Sequence, residues 1–135
     1  MSKIYRGTTP VFEYIIKEHN LNTNSEELLN IDKATISMII RKPSSKIINF
    51  EAVMEKFIPI IDGQPAPYVC AVKHAMTPYE SYNLDGKYKA QLEIVFKKED
   101  TGTGADAIYI KDLEDIEFEM PLKPYANLKS TILHT

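Results

Sequence analysis

The chain has 135 residues, 44% of them apolar, with 16 Lys and Arg against 19 Asp and Glu for a net charge of −3. That size suits one domain whose core forms without a disulfide or metal, and the composition is that of a folded chain. The acidity excludes general affinity for nucleic-acid phosphates, which takes a dense basic surface, and no run approaches the ~20 apolar residues of a membrane span.

In chain order, the N-terminus MSKIYRGTTP lacks a secretory signal pattern, so the expectation is a soluble protein made in a cytoplasm. Val11 to Ile16 is rich in β-branched and aromatic residues and reads as a strand. Thr23-Asn24-Ser25-Glu26 has the form of a helix start and predicts a short helical turn over Glu27-Leu28-Leu29. From Ala34 to Arg41, Ile36, Met38 and Ile40 share one side while Thr35 and Ser37 take the other. Ile47 to Phe50 and Val53 to Ile61 are further strand candidates, although Phe50-Glu51-Ala52-Val53-Met54 is also compatible with a helix.

Tyr68 to Ala75 is the next strand candidate, and Cys70 within it reads as a buried structural thiol. Thr77-Pro78-Tyr79-Glu80 combines a capping threonine, a proline at the first helical position and a glutamate placed to reach back. The clearest element is Lys87 to Phe96. Tyr88, Ala90, Leu92, Ile94 and Phe96 fall on one side, and Lys87, Lys89, Gln91 and Glu93 fall on the other, the period of a half-buried strand. Ala107 to Ile110 and Ile116 to Met120 complete the set. Glu117 and Glu119 would discourage edge pairing if the last strand lay at a sheet margin.

Turn residues at 42–45, 62–65, 85–86 and 101–104 separate these runs. The pattern predicts a mainly β, antiparallel sandwich or barrel with one or two short helical turns. Residues 1–120 form the expected domain. Residues 121–135 show no clear period, and Pro121 and Pro124 make them an extended C-terminal arm.

Candidate chemistry is sparse. The three histidines, His19, His74 and His134, have no zinc-helix spacing, and the single cysteine forms no disulfide or thiolate cluster. Cys70 and His74 are four apart, so on a strand they lie roughly 13 Å apart, beyond hydrogen-bond reach. The loop from Asp100 to Asp106 has glycines and carboxylates but neither the lysine of a P-loop nor the ligand ladder of an EF-hand. The acidic run Asp112, Glu114, Asp115, Glu117, Glu119 reads as a solvated strand face. The expectation is therefore no enzyme, cofactor or metal. Tyr79 and Tyr82 suit an interface or a sheet surface equally.

The opening Lys3-Ile4-Tyr5-Arg6-Gly7-Thr8-Thr9-Pro10 resembles the start of small tail-region proteins of bacteriophages and prophages. The segment from Thr77-Pro78-Tyr79-Glu80 to Asp85-Gly86-Lys87-Tyr88-Lys89-Ala90-Gln91-Leu92 resembles a second hallmark of that group. The group is similar to the immunoglobulin-like N-terminal domain of phage baseplate upper proteins. The stretches 64–67 and 18–32 are longer than in that pattern, and neither hallmark is catalytic.

The resemblance implies a virion structural protein, made in the bacterial host cytoplasm. It would assemble with other virion proteins and copies of itself, without nucleic acid or membrane. Interfaces of that kind often bury more than about 2,000 Å². Tyr79, Tyr82, Pro121, Pro124, Tyr125 and Leu128 are the expected interface residues, and deleting the arm is expected to weaken incorporation without unfolding the domain. A carbohydrate- or receptor-binding β-module of a host-attachment apparatus is the alternative.

Overall fold

The computed structural model describes residues 1–121. The expected arm from residue 122 onward, with Pro124, Tyr125 and Leu128, lies outside the described residues. Strands account for 53% of the described residues and helices for 7%, so the protein is mainly β. In chain order the strands are β1 (Ser2–Tyr5), β2 (Val11–Ile15), β3 (Lys17–Asn20), β4 (Ser25–Leu28), β5 (Ala34–Arg41), β6 (Ile48–Val53), β7 (Glu55–Phe57), β8 (Ile60–Ile61), β9 (Gln64–Pro65) and β10 (Ala71–Ala75). Helix α1 (Pro78–Tyr82), β11 (Gly86–Phe96), α2 (Lys98–Thr101), β12 (Ala107–Asp112) and β13 (Ile116–Glu119) follow.

The larger sheet has the order β1-β13-β11-β5-β6, with β12 also paired to β11. Strand β11 is its axis. One side pairs with β5, from Lys89 opposite Arg41 to Phe96 opposite Ala34. The other side takes β13 at residues 86–88 and β12 at residues 91–96. The step between those two strands is held by the Leu113 N–H donating to the Ala90 carbonyl at 2.9 Å. A smaller sheet, β2-β10-β7, faces the larger one.

The core lies between these layers. Ile36, Met38, Ile40, Ala90, Leu92 and Ile94 come from the larger sheet, and Phe12, Val72 and Met76 come from the smaller sheet and its edge. Fully burying one such aliphatic side chain stabilises the fold by about 1.5–3 kcal/mol, so this two-sided packing supplies the main drive to the sandwich-like arrangement. Tyr88 meets the Phe118 ring edge-on at 5.8 Å, a favoured aromatic geometry.

Four expectations need correction. The helical turn expected over 27–29 is instead strand β4, paired with β3 in a hairpin. Asn20 Oδ1 accepts from the Asn22 and Thr23 N–H groups at 2.9 and 3.3 Å, and Asn24 takes a positive φ of 51°. The Thr23–Glu26 spacing therefore serves a turn, since the Thr23 N–H that a capping box would engage already has its acceptor in Asn20. This hairpin also places His19 in a strand.

Second, Phe50 to Met54 is no helix start. Residues 48–53 form β6, paired with β5. Third, β13 is not a margin: it lies between β1 and β11, so Glu117 and Glu119 are half-buried rather than guarding an edge. Fourth, β1 pairs with β13 in parallel, so the sheets are not wholly antiparallel.

The helical turn at residue 77 forms as the sequence predicts. The Glu80 N–H donates to Thr77 Oγ1 at 3.1 Å, and the Thr77 N–H donates to Glu80 Oε1 at 2.9 Å. Both donors of the capping box are thereby satisfied. The glycine loop after β11 adds one turn, α2, closed by Gly102 at φ 71°.

Candidate protein interface

The groups that first suggest chemistry are kept apart. Cys70 is fully buried, and desolvation by that burial pushes its thiol above the ordinary range. A reactive cysteine needs the opposite shift, because the thiolate is the nucleophile. His74, four residues on, lies in β10 with its ring 5.7 Å from Phe50 and its Nε2 3.6 Å from Glu80. Glu80 is engaged in capping α1, so the pair closes the helix against the sheet.

The acidic run divides the same way. Asp112 accepts from Gln91 at 2.9 Å, and Asp115 lies 3.9 Å from Lys89. Glu114 receives the N-terminal ammonium group at 2.6 Å and the Ser2 hydroxyl at 3.0 Å. Those two hydrogen bonds hold its carboxyl below the usual range, the ammonium contact contributing most. In the glycine loop, Asp106 accepts from the Lys98 N–H at 2.8 Å, which spends its carboxylate on the backbone. Among the described residues, no group of three or more His, Cys, Asp or Glu side chains is placed to hold a metal.

Tyr79 and Tyr82 sit three apart on α1, hence on neighbouring positions of one helix side. Tyr79 is 77% exposed and Tyr82 50%. The Arg6 guanidinium lies 4.7 Å from the Tyr82 ring centroid and donates to the Tyr82 carbonyl at 3.0 and 2.7 Å through Nε and Nη2. Tyr82 is thus a fastening between chain start and helix, while Tyr79 projects freely. The Arg6 N–H also donates to the Glu119 carbonyl at 2.9 Å, so α1, Arg6 and the end of β13 meet at one end of the sandwich. Pro121, two residues past Glu119, is half-buried.

A larger candidate surface was not named from the sequence. Ile108, Tyr109 and Ile110 on β12 are all more than half exposed. Among the described residues β12 pairs on one side only, with β11. Its outward backbone groups therefore face no strand. The sequence signal was the apolar run Ala107-Ile108-Tyr109-Ile110, which lacks alternation and so reads as a strand buried on both faces. Among the described residues no layer covers its outer side, and the run is exposed instead.

One depression of about 350 Å³ lies between β1, β13 and β2, lined among others by Ile4, Phe12, Glu13, Glu114 and Ile116. A second of about 480 Å³ lies between β12 and the β3–β4 hairpin, lined among others by Ile16, Glu18, Glu26, Ile94, Tyr109 and Asp112. Tyr14 borders the first, and its hydroxyl is held above its ordinary pKa, chiefly by burial and further by the Glu114 charge. No helix of the described chain is long and apolar enough to cross a membrane. No protein-family profile matches the chain, and no curated protein matches it in sequence.

Proposed function

We propose that the chain is a non-enzymatic structural protein of a bacteriophage virion, an immunoglobulin-like β-sandwich that assembles through protein–protein contacts in the tail, baseplate or head–tail region. The observation that carries this reading is the β12 margin. Proteins that stay monomeric usually blunt a free sheet edge with lysine, proline or a bulge. Here Ile108, Tyr109 and Ile110 precede the first charge, Lys111, and exposed apolar surface of that kind favours a protein partner. The two hallmark stretches of the sequence supply the virion setting. The partners are other virion proteins and further copies of the chain, and its place is in the particle.

The test is particle incorporation of Ile108→Lys. The expected variant is folded, with unchanged circular dichroism, and is lost from purified particles. Full incorporation of the variant, or particles that never contain the native chain, would overturn the proposal. Tyr79 favours a second reading, a carbohydrate- or receptor-binding module, because a freely projecting ring suits stacking on a sugar. Glycan binding abolished by Tyr79→Ala would select it.

A further inference from the structure

Strand β12 is more than an uncovered apolar run, because the direction of its backbone groups follows pair by pair. In an antiparallel ladder, alternate residue pairs exchange both backbone hydrogen bonds, and the pairs between them turn those groups away. The Leu113 N–H donates to the Ala90 carbonyl. In steps of two, the bonded pairs are then Leu92 with Lys111, Ile94 with Tyr109 and Phe96 with Ala107. Strand β5 gives the same phase independently. The Met54 N–H donates to the Ile36 carbonyl, so Ile36 faces β6, and Ile94 opposite it turns toward β12. The N–H and carbonyl groups of Ile108, Ile110 and Asp112 therefore point away from β11. Among the described residues no strand receives them.

We propose that this edge pairs antiparallel with β12 of a second copy of the chain, about a two-fold axis at Ile110. The inference rests on the reading of β12 as a contact margin and names its occupant.

Phase and charge together select that register. Outward-pointing residues can meet only outward-pointing residues across the junction. An axis at Tyr109 sets Asp106 against Asp112 of the second copy, and an axis at Lys111 sets that lysine against itself. Like charges directly opposite destabilise a sheet. An axis at Ile108 takes its partners from residues 104–106, outside β12. The Ile110 axis has none of these faults. Ile110 meets Ile110, Ile108 meets Asp112, and Tyr109 meets Lys111, an ammonium group beside an aromatic ring. Edge-on packing against Phe96, with ring centroids 6.2 Å apart, holds Tyr109 at that position. A two-fold interface uses one patch twice and must be self-complementary. Residues 108–112 meet that condition.

Amide exchange of the full chain, resolved residue by residue by NMR, tests this through the alternation along β12. The Tyr109 and Lys111 amides bond to β11 and should be protected at any concentration. The Ile108, Ile110 and Asp112 amides should slow at least about tenfold between about 10 µM and about 1 mM protein, as copies associate. Sedimentation over the same range should show a species of twice the 15.4 kDa chain mass. Ile110→Pro removes an outward N–H and no bond to β11, a change that edge strands tolerate. It should stay monomeric with β11 protection unchanged. If that variant loses β11 protection, Ile110→Lys gives the same readout by setting lysine against lysine.

A chain that stays monomeric, with fast Ile108, Ile110 and Asp112 amides at every concentration, would overturn this pairing. Particle incorporation would still decide separately whether β12 contacts other virion proteins. Equal protection of those three amides at both concentrations, in a monomer, would assign the edge to cover from within the chain and overturn the second copy. Association that survives both substitutions at Ile110 would also overturn the pairing.

Discussion

Strands β5 and β12 flank the same stretch of β11. Ile36 and Tyr109 both stand opposite Ile94, one on each side. Yet β5 is among the most buried strands in the molecule, whereas every residue of β12 except Ala107 is exposed. Pairing to a central strand therefore does not decide burial. Cover does. The β5 side chains meet the smaller sheet across the core and β6 beyond, while β12 borders a depression and, among the described residues, has no strand at its outer edge. One strand holds the fold, and the other is available for contact.

The largest effect that would break this comparison comes from matched truncations. Ile36→Ala should cost about 2–5 kcal/mol, the lost burial plus the cavity left behind. Ile108→Ala should cost less than about 0.5 kcal/mol, as at other exposed sites. Urea unfolding of the two variants beside the parent, with the slopes compared, measures both. Equal losses would mean that β12 is covered in solution and that the two strands do not differ as described.

Gly86 sharpens the comparison at the other end of β11. Its φ is 93°, and a Cβ there would lie 2.9 Å from Lys42 Nζ. Lys42 donates to the Asp85 carbonyl and sits 4.2 Å from the centroid of the buried Tyr88 ring. Gly86→Ala should cost about 1–3 kcal/mol, the usual range for a side chain held in a disfavoured backbone region. Gly104, with φ 78° and open space around it, should respond less, since only the backbone term applies. Thermal midpoints of both variants decide whether the Lys42 contact adds anything.

How much of this could be read from the sequence follows from range. Strand β11 was plain because its wet face alternates with its buried one, and α1 was plain because a capping box is a local device. Strand β1 has no such signature. It exists because Ser2–Tyr5 meets Ile116–Glu119, a pairing set by distant chain. The hairpin at 17–28 is masked in the sequence because Thr23 and Glu26 imitate a helix start, while Asn20, outside that motif, accepts from the Thr23 N–H. The candidate surface is less legible. Tyr79 is exposed, which an interface and a sheet surface both allow, and the unalternating run of β12 resembles a buried strand, although among the described residues no layer covers it.

Alkaline pH probes the interior side of the comparison. The fully buried Cys70 thiol has a raised pKa in the folded state, so it stays neutral after the unfolded chain's thiol begins to ionise near 8.5. The stability it contributes is complete below that pH and is lost as pH rises through the folded value. The slope is at most about 1.4 kcal/mol per pH unit for one group. Tyr14, also raised, adds a second decline that starts near pH 10. Unfolding curves from pH 7 to 11 should bend downward from about 8.5, and Cys70→Ala should remove the first bend while leaving the second. A first bend that persists in Cys70→Ala would show that another group carries it.

The smallest effect belongs to α1, which tests whether the tyrosine end behaves as core or as margin. Thr77→Ala removes the hydroxyl that accepts the Glu80 N–H, and a lost N-cap of this kind costs about 1 kcal/mol. The loss should be local in origin yet global in readout, because the fully buried Ser81 on the same helix donates to the Thr8 carbonyl at 2.6 Å and ties α1 to the chain start. Thr77→Ser keeps the acceptor and should recover most of the difference. If Thr77→Ala instead left global stability unchanged and raised exchange only within residues 77–83, α1 would open independently of the sheets, and Tyr79 would belong with β12 as part of the adaptable margin.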